Sequence, residues 1–143
     1  MHPPSTAVAR FFQTYQLHNS SGDIPEIVSH FADTFLAAGP QGAKCVRATD
    51  FALALPKRKQ LFESLGSQST ALVSLQETQI DPRYVLAKTS WQINFTRHGN
   101  TQNIVVDSTF LIDTGVDDFK ILLYLPHQDI MQILKDRGIL PAD

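Results

Sequence analysis

A chain of 143 residues with 43% hydrophobic and 18% charged side chains has the balance of an ordinary soluble globular domain, large enough to bury one core. Its net charge of -2 excludes a general attraction to nucleic acid or to an anionic membrane, and no apolar run reaches the roughly 18 residues of a membrane span. The single cysteine, Cys45, excludes an internal disulfide and a cysteine metal cluster, and no metal or cofactor is expected. The first residues, MHPPSTAVARFF, lack a basic start followed by an apolar run. No signal peptide is therefore expected, and the expected setting is the reducing cytoplasm.

No internal repeat or linker interrupts the chain, which reads as a single domain over 1–143. Val8, Phe11, Phe12 and Tyr15 recur at helical spacing and form one stripe of a first helix, closed by the polar run before Gly22. Asp23, with Glu26 three residues on, predicts an N-cap. Ile24, Ile27, Val28 and Phe31 supply the buried stripe of the short second helix. A brief strand is expected over Thr34 to Leu36, then a turn at Gly39-Pro40-Gln41-Gly42 that forms the mouth of a pocket. Cys45 to Ala48 reads as another short strand. Asp50 then caps a turn of helix, and Pro56 opens a further helical segment ended by Gly66.

From Thr70 the period changes from 3.6 to 2. Strands are predicted over Thr70 to Gln79, Tyr84 to Thr96, Gln102 to Asp113 and Phe119 to Leu125, the last three as an antiparallel meander. A C-terminal helix follows from His127 to Arg137 and stops at Gly138. Helices first and a long sheet afterwards define an α+β fold. A curved antiparallel sheet wraps the N-terminal helices into a cone whose wide end is the natural place for a pocket.

This order of elements resembles the nuclear transport factor 2-like (NTF2-like) superfamily, which includes ketosteroid isomerases, scytalone dehydratase and SnoaL-type polyketide cyclases. The resemblance runs from Val8 to about Leu125. Its most specific piece is Gly22-Asp23 to Gly42, where Phe31-Ala32-Asp33 matches an F-A-D turn and Pro40 and Gly42 match a P-x-G. The isomerase resemblance implies a catalytic aspartate at the position held here by Gly39, which has no proton-abstracting group. It implies an oxyanion-hole tyrosine at Tyr15, which is kept, and a protonated carboxylic acid at Ser108, which is not. Asp107 is one residue away and points to the other face of its strand. Steroid-type isomerisation is thus disfavoured.

Each remaining candidate has two readings. Tyr15 offers a hydroxyl to a ligand carbonyl, or packs on the sheet with that hydroxyl bonded locally. Trp91, on the concave face with Ile93 and Phe95, is a wall for a flat apolar ligand or a large core residue. Ser108 and Phe110 share a strand face that would look into the cone. Asp33 is a potential base, or a carboxylate serving the F-A-D turn. His30 pairs with Asp33 in a dehydratase-type mechanism, or sits at the rim. The histidines His2, His18, His30, His98 and His127 show no metal-ligand spacing. Lys57-Arg58-Lys59 reads as a solvated helix face.

The expectation is a protein that binds a small, mainly apolar molecule. The alternative is a lyase or isomerase of the dehydratase or polyketide-cyclase type using Asp33 or His30 with Tyr15. Val105, Leu111, Leu122 and Tyr124 are expected on the outer sheet face, beside Asp107 and Lys120, as the interface of a homodimer.

Overall fold

The computed structural model describes residues 6–140, apart from the side chains of 68 and 69. Helix α1 spans Ala7–Ser21, with Thr6 accepting a bond from the Ala9 amide and Gly22 ending it at φ 71°. Helix α2, Ile24–Ser29, is capped by the Asp23 carboxylate, as the D-x-x-E spacing predicts. Strands β1 (Phe31–Gly39) and β2 (Gly42–Arg47) form a hairpin, and helix α3 (Ala48–Ser64) crosses back. Strands β3 (Ser67–Gln79), β4 (Tyr84–Arg97), β5 (Asn100–Asp113) and β6 (Lys120–Pro126) precede a short helix α4 (Ile130–Asp136). No helix among the described residues is long and apolar enough to cross a membrane.

The six strands form one sheet in the order β2-β1-β6-β5-β4-β3. The expectation of a wholly antiparallel sheet is corrected at one seam: β1 runs parallel to β6, so the sheet is mixed. Phe31 accordingly opens β1, paired with Ile121, rather than closing the stripe of the second helix. The Ile121 amide donates to the His30 carbonyl, which pulls the chain into the sheet as soon as α2 ends. β1 is therefore longer than the Thr34 to Leu36 strand expected. The second strand begins earlier than expected, at Gly42, and stops at Arg47.

Three helix boundaries also differ from expectation. Arg47 is the N-cap of α3, without a side-chain cap bond, and Asp50 lies in its first turn. Pro56 sits inside this 17-residue helix rather than at the start of a separate one. No residue of α3 is fully buried, so the carbonyl that Pro56 leaves without an amide partner is not sealed in the core. α4 begins at Ile130, capped by Asp129, because the His127 amide bonds the Asp107 carbonyl and holds 127–128 to the sheet.

Strand irregularities bend the sheet over the helices. β6 steps two residues, from Ile121 to Leu123, while β5 steps one, from Ile112 to Leu111. The extra residue, Leu122, is a bulge that inverts the alternation after it. Tyr124 therefore stacks on Phe110, ring centres 5.2 Å apart, on the inner face. Its expected place on the outer face with Leu122 is corrected: Leu123 and Leu125 take the outer positions, opposite Leu111 and Thr109.

Two core clusters result. The larger joins Val8, Phe12 and Ile27 of the helices to Phe31, Trp91 and Phe110 of the sheet. The smaller gathers Leu65, Ile93, Phe95 and Ile104 against Leu134 of α4. Val106 packs against both.

Candidate functional site

Where the two clusters separate, a cavity of about 330 Å³ opens between the helices and the concave sheet face. That volume is at the lower end of small-molecule pockets. Alternation along β4 and β5 aims Trp91, Ile93, Val106, Ser108 and Phe110 into it, and the bulge in β6 adds Tyr124. The helices complete it with Tyr15 of α1, Ile27 of α2, and Phe51, Leu55 and Phe62 of α3.

Tyr15, Trp91, Ser108 and Phe110 thus all border one space. Tyr15 meets Phe12, Trp91 and Phe110 edge-on with ring centres 5.9 to 6.1 Å apart. Burial pushes its phenol well above the ordinary range, with the Tyr124 hydroxyl adding and the Arg58 guanidinium and Asn19 amide opposing. A phenol held neutral is a hydrogen-bond donor at every physiological pH. The Trp91 indole N–H donates to Thr89 Oγ1 at 2.8 Å, and Thr89 in turn donates to the Ser108 carbonyl at 3.0 Å. The indole therefore presents its ring to the cavity. Asp107 lies on the opposite face, where Ser90 and Gln128 bond its carboxylate at 2.6 and 3.1 Å and hold it below the ordinary range.

The two candidate catalytic residues lie elsewhere. Asp33 is exposed on β1, and neither it nor His30 lines the cavity. His30 is half-buried behind Tyr15, and its Nε2 is 2.7 Å from His18 Nδ1. The His18 ring stacks on it, centres 4.9 Å apart, and reaches Glu26 at 3.8 Å. Burial first, then the neighbouring His18 and Lys120 charges, lower the His30 pKa from 6.5 to about 4. No residue from His30 to Gly42 borders the cavity, which corrects the expectation that this stretch forms its mouth. The parallel seam with β6 draws it into the sheet instead. Gly39, at the position of the isomerase base, lies beside Pro126. His2 falls outside the described residues. Among the described residues no group of three His, Cys, Asp or Glu side chains is placed to hold a metal ion.

The strand alternation alone misses Tyr124, because a bulge leaves no signature in a run such as ILLYLP. It also misses Arg58, Lys59 and Glu63, which line the cavity from α3. The spacing of Leu55, Arg58 and Phe62 at i, i+3 and i+7 was the available signal once Pro56 is placed inside the helix.

No family model matches the sequence, and no curated protein matches it. Solved structures do. An NTF2-like protein of unknown function from Shewanella oneidensis MR-1 superposes with a TM-score of 0.69 at 13% identity, over 88% of this chain and 100% of its own. An NTF2-like protein with a cystatin-like fold from Novosphingobium aromaticivorans gives 0.70 at 10% identity, over 92% and 84%. A ketosteroid isomerase-like protein from Erwinia carotovora atroseptica SCRI1043 gives 0.64 at 13% identity, over 82% and 90%. At these identities the likeness establishes architecture. The chain has the NTF2-like, cystatin-like fold.

Proposed function

We propose that the protein binds a small, mainly apolar molecule in the cone, against Trp91 and Phe110, with one oxygen acceptor bonded by the Tyr15 hydroxyl near Ser108. The observation that carries this reading is the inner part of the cavity wall: Phe51, Leu55, Trp91, Ile93, Val106 and Phe110 offer aromatic and aliphatic surface, and the Tyr15 phenol, held neutral, borders the same space of about 330 Å³. A lyase or isomerase using Asp33 or His30 would need that residue at the reacting atoms, and neither borders the cavity. Binding is therefore the better-supported reading. The protein acts in the cytoplasm as a single domain, and pairs with a second copy through Val105, Leu111, Leu123 and Leu125 of the outer sheet face. That patch includes Val105 at 53% exposure.

Trp91 is the only tryptophan, so its emission reports on the cavity wall. Titration with the apolar fluorophore N-phenyl-1-naphthylamine should quench Trp91 saturably at one probe per chain. Quenching that never saturates would remove the proposal.

A further inference from the structure

The basic run Lys57-Arg58-Lys59 has no part in the binding reading above, yet two of its side chains line the cavity. Arg58 and Lys59 are exposed as well, so they stand at the solvent edge of that space. The Arg58 guanidinium carbon lies 5.1 Å from the centre of the Phe62 ring, and Phe62 is braced edge-on against buried Phe95 at 5.8 Å. A guanidinium resting against an aromatic ring keeps N–H donors available to an oxygen ligand. Lys59 reaches from α3 to the junction of α1 and α2, where a Cβ on Gly22 would lie 2.6 Å from its Nζ.

Among the described residues neither cation has an ion-pair partner: the ion pairs are His18 with Glu26 and Arg83 with Asp113. Glu63 also borders the cavity, which leaves two positive charges and one negative at its opening. A net single positive charge matches a monoanion. The guanidinium fork adds a planar, two-oxygen preference.

Taking as given that the cavity holds an apolar molecule, we propose that this molecule is an amphipathic carboxylic acid. Its carboxylate sits between Arg58 and Lys59 at the opening, and its apolar body, with the second oxygen that Tyr15 bonds, runs inward to Trp91 and Phe110. A neutral ligand of the same shape makes the inner contacts and leaves both cations to water.

The test compares octanoate with 1-octanol as displacers of bound N-phenyl-1-naphthylamine at low salt. The proteins are wild type, the double variant Arg58→Gln/Lys59→Gln, and Glu63→Gln. The double variant should weaken octanoate about tenfold, allowing for the exposure of both cations, and leave 1-octanol unchanged. Glu63→Gln should tighten octanoate alone, and added salt should weaken octanoate alone. Equal changes for both displacers, or an unchanged octanoate affinity in the double variant, would overturn the acid assignment while leaving the apolar cavity intact. Absence of saturable probe binding in the wild type would instead remove the cavity reading, and this inference with it. Because all three substitutions are on exposed positions, a melting curve matching wild type confirms that the comparison is between folded proteins.

Discussion

Protonating His30 should destabilise the protein, over a pH range that the structure fixes. In the folded chain His30 is half-buried, edge-on to Phe11 and Tyr15 at 5.2 and 5.7 Å, and shares a 2.7 Å contact with a second imidazole. One proton can lie between those two nitrogens; a second places like charges face to face. The folded pKa is lowered from 6.5 to about 4, by burial first and the His18 charge next. An unfolded His30 takes up its proton near 6.5, before the folded one does. Stability is therefore complete above pH 6.5 and is lost as the pH falls from 6.5 to about 4. At about 1.4 kcal/mol per pH unit that span sets a ceiling of roughly 3 kcal/mol, and solvent access to half of the ring reduces it to about 1–2 kcal/mol. Asp107 and Asp113 are held below the ordinary carboxylate range by Ser90 and Arg83, so their contributions disappear only at lower pH. Urea unfolding of wild type and His30→Gln at intervals from pH 7.5 to 4.5 isolates the effect. Wild type should lose about 1–2 kcal/mol more than the variant across the range. Parallel curves for the two proteins would refute the argument.

Gly66→Ala should cost about 2 kcal/mol or more in urea unfolding, because Gly66 has φ +87° and a Cβ there would meet the Thr96 carbonyl oxygen at 2.1 Å. Tyr15→Phe should weaken an apolar ketone such as 2-octanone by about 0.5–1.5 kcal/mol in probe displacement, with the melting temperature nearly unchanged since the ring contacts persist. A large loss of stability with unchanged ketone affinity would mean that the hydroxyl serves the fold. Light scattering at micromolar concentration should return twice the 15.9 kDa chain mass, and Val105→Lys should restore the single mass. A wild-type protein that scatters as a monomer ends the proposed pairing.

Local signals carried much of the fold. Caps at Asp23, the glycine stop at Gly22 and the change of period at Thr70 place most of the elements, since each depends on neighbours within a turn or a strand. What escaped depends on contacts distant in sequence. The parallel seam between β1 and β6 joins residues about 90 positions apart, and no pattern inside Phe31–Gly39 encodes it. Leu122 bulges because the sheet must curve there, and that one residue carries Tyr124 from the outer face to the cavity. The cavity shows the same division. Trp91, Ser108 and Phe110 follow from strand alternation, whereas Arg58 and Lys59, exposed as expected, join the cavity edge only because α3 runs on through Pro56. His30 and Asp33 drew attention through a turn motif, and a sequence motif does not say which way a turn faces.

A cone that accommodates a ligand should lose it when the space is filled by a side chain. Val106 borders the cavity between the two core clusters, so Val106→Phe would put a ring into the space a ligand would use. The measurement is a fluorescence titration of N-phenyl-1-naphthylamine into wild type and Val106→Phe, with melting temperatures recorded for both. Wild type should bind the probe saturably and the variant should not, while the variant's melting temperature stays equal or rises as the void is filled. Undiminished probe affinity in a folded Val106→Phe protein would contradict binding in the cone.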